Sequence, residues 1–167
     1  YTWEVSSLGR SHRLLGRKAQ RLHHLLSDLE LAICLALDWS PHVLDIREQF
    51  PMRVEDTTRI AAEQGFRQAI FRGAPQVLTS DFLVDLKHSK HPVIAIQAKY
   101  SADLQRPETI ERLELERRYW NEKNIPWFIV TEREINKAAF NNIQWLYPAQ
   151  IEEDVSQDEL EHFERMF

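Results

Sequence analysis

Cysteine and glycine are scarce in this sequence, with one Cys and four Gly in 167 residues. Cys34 has no partner, so an internal disulfide is excluded and a reducing cytoplasm is the expected location. It lies in the apolar stretch Leu31 to Leu37 and reads as core, not as a nucleophile. Seven His beside a single Cys give no zinc spacing. His23 and His24 are adjacent and would diverge on a helix, and His88-x-x-His91 falls in a polar turn. Gly9, Gly16, Gly65 and Gly73 build no glycine-rich phosphate loop, and there is no nucleophile-elbow motif. No apolar run approaches the ~20 residues of a membrane span. A signal-peptide pattern, repeats and low-complexity segments are likewise absent from the sequence.

What is present is ordinary for a soluble globular protein: 43% apolar residues, 28% charged and five Trp. A chain of this length fits one domain that buries roughly 70% of its unfolded surface. It opens on Tyr1 and stops at Phe167 inside a helical pattern, which reads as a fragment of a longer protein. The net charge of −5 is unevenly spread. Residues 1–24 hold Arg10, Arg13, Arg17, Lys18 and Arg21 against Glu4 alone. Residues 152–167 hold seven acids against Arg165, and without them 21 basic and 26 acidic residues become 20 and 19. The body is therefore neutral with a basic N-terminal arm. That arm either contacts phosphates or is simply a solvated terminus.

Around Gly9 and Gly16 the arm reads as loop or short edge strands. Ser27-Asp28-Leu29-Glu30 opens a helix to about Leu37, with Leu26, Leu29, Ile33 and Leu37 at helical spacing. Val43 to Phe50 alternates as a strand closed by Pro51. A short helix from about Asp56 to Gln64 ends at Gly65, a left-handed cap. Leu78 to Leu86 and Val93 to Tyr100 read as two strands, and the Lys87–His91 linker favours an antiparallel hairpin. Pro107 to Lys123 follows as a helix with Ile110, Leu113 and Trp120 on one stripe. Trp127 to Thr131 is a short apolar strand, so strand, helix and strand form a right-handed parallel crossover. A helix from about Glu134 to Leu146 completes the body, and Trp120, Trp127, Phe128 and Trp145 read as core. The fold class is α/β with a mixed sheet flanked by helices.

Alternation along a strand puts Gln97 and Lys99 on one face with Val93 and Ala95. The neighbouring strand brings Asp81 into the partner position. Such a polar trio is costly to bury unless its members pair or bind an ion. Phosphodiester hydrolysis is the chemistry that fits. A hard cation such as Mg²⁺ prefers carboxylate and carbonyl oxygens, which Glu30, Asp81 and Gln97 supply. Lys99 then orients the nucleophile or offsets developing negative charge. Each residue has a plainer alternative. Ser27-x-x-Glu30 is also a capping box, Asp81 also fits an exposed strand position, and Gln97 with Lys99 also fits a sheet edge. Asp85, near the turn, reads as solvent-exposed.

Asp81-x(15)-Gln97-Ala98-Lys99 resembles the Asp…(Glu/Gln)-x-Lys signature of restriction-endonuclease-like folds. The wider text is more specific: Gly9-Arg10-Ser11-His12-Arg13, His23 to Glu30, Leu44 to Pro51, Ser80 to Asp85, and Leu113 to Trp120 with Ile125 to Phe128. Over about residues 8–150 it resembles the TnsA family, endonuclease subunits of heteromeric bacterial cut-and-paste transposases. The resemblance implies a restriction-endonuclease-like domain over residues 1–150 that nicks the five-prime ends of a transposon. It implies a metal site of Glu30, Asp81 and Gln97 for Mg²⁺, with Mn²⁺ able to substitute, and a catalytic set completed by Lys99. Gln97 in place of the commoner Glu is a feature of that family. Arg10, Arg13, Arg17, Lys18 and Arg21 would touch DNA at the transposon ends. Partners implied are a DDE-type transposase of the TnsB kind and an ATPase of the TnsC kind. The ATPase would be engaged mainly through a second domain of which residues 151–167 are the start. The implied setting is the bacterial cytoplasm, at the nucleoid. Two rivals remain: a stand-alone restriction-like or junction-resolving nuclease, and a non-catalytic DNA- or partner-binding module of the same fold.

Overall fold

The computed structural model describes residues 10–67 and 69–149. Chain order begins with β1 (His12–Leu15), β2 (Leu22–Leu25), α1 (Asp28–Trp39), β3 (Val43–Pro51) and α2 (Val54–Gln64). It continues with β4 (Ile70–Phe71), β5 (Ala74–Pro75), β6 (Thr79–Leu86), β7 (Val93–Ala98), α3 (Pro107–Glu122), β8 (Trp127–Val130) and α4 (Lys137–Leu146). The central sheet runs β3-β6-β7-β8. Six residues between β6 and β7 are too few for a crossover, and the two strands pair antiparallel. Between β7 and β8 the sixteen-residue α3 returns the chain, and these strands pair parallel with Ala95 opposite Trp127. β3 joins the other side of β6 antiparallel. The result is the expected mixed α/β sheet with helices packed on it.

Two cores lie against this sheet. One gathers Leu25 of β2, Leu29, Ile33 and Cys34 of α1, and Ile46, Phe82, Val84 and Ile96 of the strands. The other gathers Ile60 and Ala61 of α2, Leu115, Tyr119 and Trp120 of α3, with Met52, Leu83 and Ala95. Cys34 is fully buried, as its apolar surroundings require, and burial pushes its thiol far above the usual range, so it is inert.

β3 serves both cores. Ile46 faces the α1 side, whereas Phe50 and Met52 pack against α2 and α3. Strict alternation would keep Ile46 and Phe50 on one face. Gln49 breaks the alternation with a φ of 49°, in the left-handed region. The other described residues with positive φ outside glycine, namely Gln20, Arg72, His88 and Asn124, lie outside the strands. As a result the Arg47 guanidinium lies 5.7 Å from the Phe50 ring centre, three residues along the same strand.

Several expectations need correction. His23 and His24 lie on strand β2, which pairs with β1, because the arm folds into a hairpin instead of extending α1. Trp145 is 81% exposed and Phe128 half exposed. β8 is an edge strand, and Phe140 and Ile143 of α4, with Ile135 before it, line a cavity against Ala32, Leu35 and Ala36 of α1 instead. Ile110 is half exposed, and the buried stripe of α3 runs through Leu113, Glu116 and Trp120. Asp85 is half buried and pairs with Arg47. The small β4–β5 hairpin carried no clear sequence signal. Among the described residues no helix is long and apolar enough to cross a membrane. The expected second domain at residues 151–167 lies outside the described residues.

Candidate active site

Helix α1 begins where Ser27 caps it. The Ser27 Oγ accepts a hydrogen bond from the Glu30 N–H at 3.1 Å. The Glu30 carboxylate turns back, accepting from the Leu26 N–H at 2.9 Å and from the Ser27 hydroxyl at 3.0 Å. This is a capping box with its return bond moved one residue upstream. The same carboxylate lines a cleft of about 560 Å³, together with Gln49, Asp81, Gln97, Lys99 and Arg112. Capping does not take Glu30 out of the cleft: the helix terminus holds the carboxylate, which still lines the cleft.

The sheet opens at this point. The β6–β7 ladder ends with Phe82 opposite Ile96, and beyond it side chains replace backbone pairing. The Asp81 N–H donates to Gln97 Oε1 at 3.2 Å, and the Ala98 N–H donates to Asp81 Oδ2 at 2.8 Å. Asp81 Oδ1 has no hydrogen-bond partner among the described residues. Glu30, Asp81 and Gln97 are only 6–8% exposed, so the cleft exposes edges of their side chains and little else. Gln49 lies between them, its Nε2 donating to Glu30 Oε2 at 3.1 Å and its Oε1 accepting from the Thr79 hydroxyl at 3.2 Å.

Burial and the neighbouring charge of Glu30 push the Asp81 carboxyl up to about 8. Burial also raises Glu30, against the bonds from Leu26, Ser27 and Gln49 that favour its charged form. Lys99 acts in the opposite sense on both carboxylates, which fits its position on the same cleft. Neither Lys99 nor Arg112 forms a salt bridge among the described residues, and both act on the buried Glu116 only through space. Helical spacing would let Glu108 or Glu116 pair with Arg112. Glu108 instead reaches Arg67, and Glu116 turns into the core to accept from Ser80 at 2.6 Å and Trp127 at 2.9 Å.

Among the described residues no three His, Cys, Asp or Glu side chains converge on one point. Beside the two carboxylates the cleft offers a neutral oxygen donor in the Gln97 side-chain amide. Gln97 Oε1 already accepts one bond and has a second lone pair.

All four expected site residues, Glu30, Asp81, Gln97 and Lys99, line the one cleft. The basic arm lies elsewhere: Arg13 and Arg17 line a separate cavity of about 400 Å³ with Gln20 and Tyr147. Arg10 is exposed and Lys18 half buried. Arg21 is spoken for, donating to Glu48 at 2.8 Å and to the Ile46 carbonyl at 2.8 Å. Sequence reasoning missed Gln49 and Arg112. A Gln within an alternating strand and an Arg on a charged helix give no signal that a distant carboxylate or cleft waits for them.

The mixed sheet and its flanking helices are those of a restriction-endonuclease-like domain, and the open end of the sheet carries two buried carboxylates, an amide and a lysine. The family model described as "TnsA-like endonuclease N terminal" matches residues 40–132, and the chain belongs to that family. The match takes in Asp81, Gln97 and Lys99 and begins ten residues after Glu30. The Tn7 transposition protein TnsA of Escherichia coli is 54% identical over 150 residues, which are 90% of this chain and 55% of the relative. The chain thus spans about half the length of the curated relative it matches.

Proposed function

We propose that this chain is the catalytic part of a metal-dependent DNA endonuclease that nicks the five-prime strands at transposon ends. The observation that carries this reading is the convergence of Glu30, Asp81, Gln97 and Lys99 on one cleft. Two carboxylates and an amide oxygen are a hard donor set, suited to Mg²⁺ and, with similar ligands, to Mn²⁺. The unpartnered Asp81 Oδ1 and the mutual repulsion of two buried carboxylates fit a cation there. Such an ion, held by Glu30, Asp81 and Gln97, would activate water and draw charge from the phosphoryl oxygen.

The chain's own groups do the rest. Lys99 holds an ammonium at the cleft, where it orients the attacking water and offsets charge that develops on the phosphate. Arg112 lines the same cleft without a salt bridge of its own and grips a neighbouring phosphate of the same strand. Buried Glu116 stays on its Ser80 and Trp127 bonds and takes no part.

The 54% identical relative is named as a transposition protein of Tn7, which supports action within a transposition complex. A DDE-type transposase of the TnsB kind then supplies recognition of the ends and cuts the three-prime strands. An ATPase of the TnsC kind is engaged mainly by the half of the relative's length that this chain does not span. The basic arm residues Arg10, Arg13, Arg17 and Lys18 touch backbone phosphates without specifying sequence. The setting is the bacterial cytoplasm.

The test is cleavage of end-labelled transposon-end DNA in Mg²⁺, with and without the partner transposase. Asp81→Ala should abolish the five-prime cut, and Lys99→Ala should lose that strand alone. Retained five-prime cutting by Asp81→Ala would refute the assignment. Efficient sequence-specific cutting by the lone chain would favour a stand-alone restriction enzyme.

A further inference from the structure

We infer that Gln49 is a positioning residue of this site, whose left-handed backbone exists to hold the Glu30 carboxylate toward Asp81. The inference rests on the metal-site reading above and extends it to a residue outside the ligand set.

Glu30 accepts three hydrogen bonds, and two of them come from its own helix terminus, the Leu26 N–H and the Ser27 hydroxyl. Those two move with α1 and cannot fix the carboxylate relative to the sheet. The third donor, Gln49 Nε2 at 3.1 Å, comes from strand β3. The other end of the same amide accepts from Thr79 of β6 at 3.2 Å, two residues before Asp81. Thr79, Gln49 and Glu30 thus form a chain of bonds from the strand that carries Asp81 to the helix that carries Glu30.

Backbone geometry points the same way. Glu48 stands opposite Phe82 and Phe50 opposite Ser80, which leaves Gln49 across from Asp81 where the ladder is interrupted. At this position the φ of 49° is unfavourable for any residue with a Cβ. Glycine would relieve it, and asparagine would tolerate it. A glutamine there is the choice of a residue whose side chain is needed at that length. Strained backbone at a site of clustered polar groups is a known way of storing pre-organisation. Amide partners that orient a metal-binding carboxylate commonly set its affinity.

Two substitutions separate side chain from backbone. Gln49→Met keeps length and strain but donates nothing. Gln49→Gly removes the amide and relieves the strain. In the full chain, Mn²⁺ affinity measured by electron paramagnetic resonance should fall by about 10- to 100-fold in both. The metal-free thermal midpoint should stay near wild type or rise in Gln49→Gly. The Mg²⁺ concentration needed for half-maximal cleavage should rise in parallel with the loss of Mn²⁺ affinity. Wild-type Mn²⁺ affinity in either variant overturns the inference. So does an affinity loss found only in Gln49→Met with a collapsed midpoint, since that is the mark of a purely structural role. A wild-type chain that binds no Mn²⁺ would overturn the metal reading instead. Gln49 is then judged without metal, from crystal structures of the wild type and Gln49→Gly: Glu30 should leave its wild-type orientation, and an unmoved Glu30 overturns the inference.

Discussion

The metal-free fold disfavours the charged form of Asp81 at neutral pH. Its carboxyl rises from an ordinary 3.8 to about 8, first through burial and then through the charge of Glu30. A carboxyl whose folded value is raised gives full stability below its unfolded value and loses it as pH rises through the folded one. The penalty therefore grows from about pH 4 to about pH 8. Asp81→Asn keeps an acceptor for the Ala98 N–H and removes the charge. In chelator at pH 8 it should be more stable than wild type by on the order of 1–3 kcal/mol, with the gap closing toward pH 4. Thermal midpoints at the two pH values check this, and equal midpoints at pH 8 would contradict it. Glu48 behaves in the opposite way. Burial acts to raise it, but bonds from His23 at 2.7 Å and Arg21 at 2.8 Å prevail and hold it at about 2. The stability it contributes is present above its ordinary 4.5 and is lost as pH falls toward 2. Glu48→Gln should cost about 1–3 kcal/mol at pH 7 and flatten the acid side of the stability profile in urea titrations.

At the scale of elements, the β1–β2 hairpin is locked to the sheet through His23, which is fully buried beside Glu48. Gly16 gives that ring its room. A Cβ at this position would lie 2.3 Å from His23 Nε2 and 2.6 Å from Cδ2. The Gly16 N–H also closes the turn by donating to the Arg21 carbonyl at 2.9 Å. Gly16→Ala should therefore destabilise by about 1–3 kcal/mol through overpacking. In a His23→Ala background the added methyl finds space, so the two changes should cost less together than the sum of their separate costs. Strict additivity in denaturant melts would show that the hairpin moves freely over the sheet.

Over the whole molecule, a net charge of −5 leaves little attraction for a polyanion. Among the described residues the cations lining the cleft are Lys99 and Arg112, and the arm's Arg21 is committed to Glu48. DNA binding by the lone chain should be weak. Its log–log salt slope should be no steeper than about −5, the value for some six phosphate contacts made by Lys99, Arg112, Arg10, Arg13, Arg17 and Lys18. Tethering by a DNA-bound transposase would raise the local concentration and restore cutting. Fluorescence anisotropy across a salt series and cleavage assays with and without the partner measure both. A steep slope with tight binding would mean that a larger basic surface forms than the described residues present.

The sequence by itself determined the order of elements from α1 to α4 apart from the small β4–β5 hairpin, the antiparallel Asp81 hairpin and the parallel return through α3. These follow from period-two alternation, linker length and capping, all of which are local. Pattern alone offered Glu30, Asp81, Gln97 and Lys99 as candidates, each with a plainer alternative, and it was the resemblance to the TnsA family that joined them into one expected site. Only the tertiary structure decided that Glu30 could cap its helix and still line the cleft, since that depends on how α1 lies across the sheet. The arm was misread at His23 and His24 because two short strands become strands only when they pair. Trp145 was misread because a hydrophobic residue on a short helix reveals its face only when the partner helix is in place. Gln49 and Arg112 stayed hidden for a related reason. The bonds of Gln49 reach 19 residues back to Glu30 and 30 forward to Thr79, and Arg112 matters through a cleft formed by residues from Leu26 onward. No window along the chain contains such neighbours.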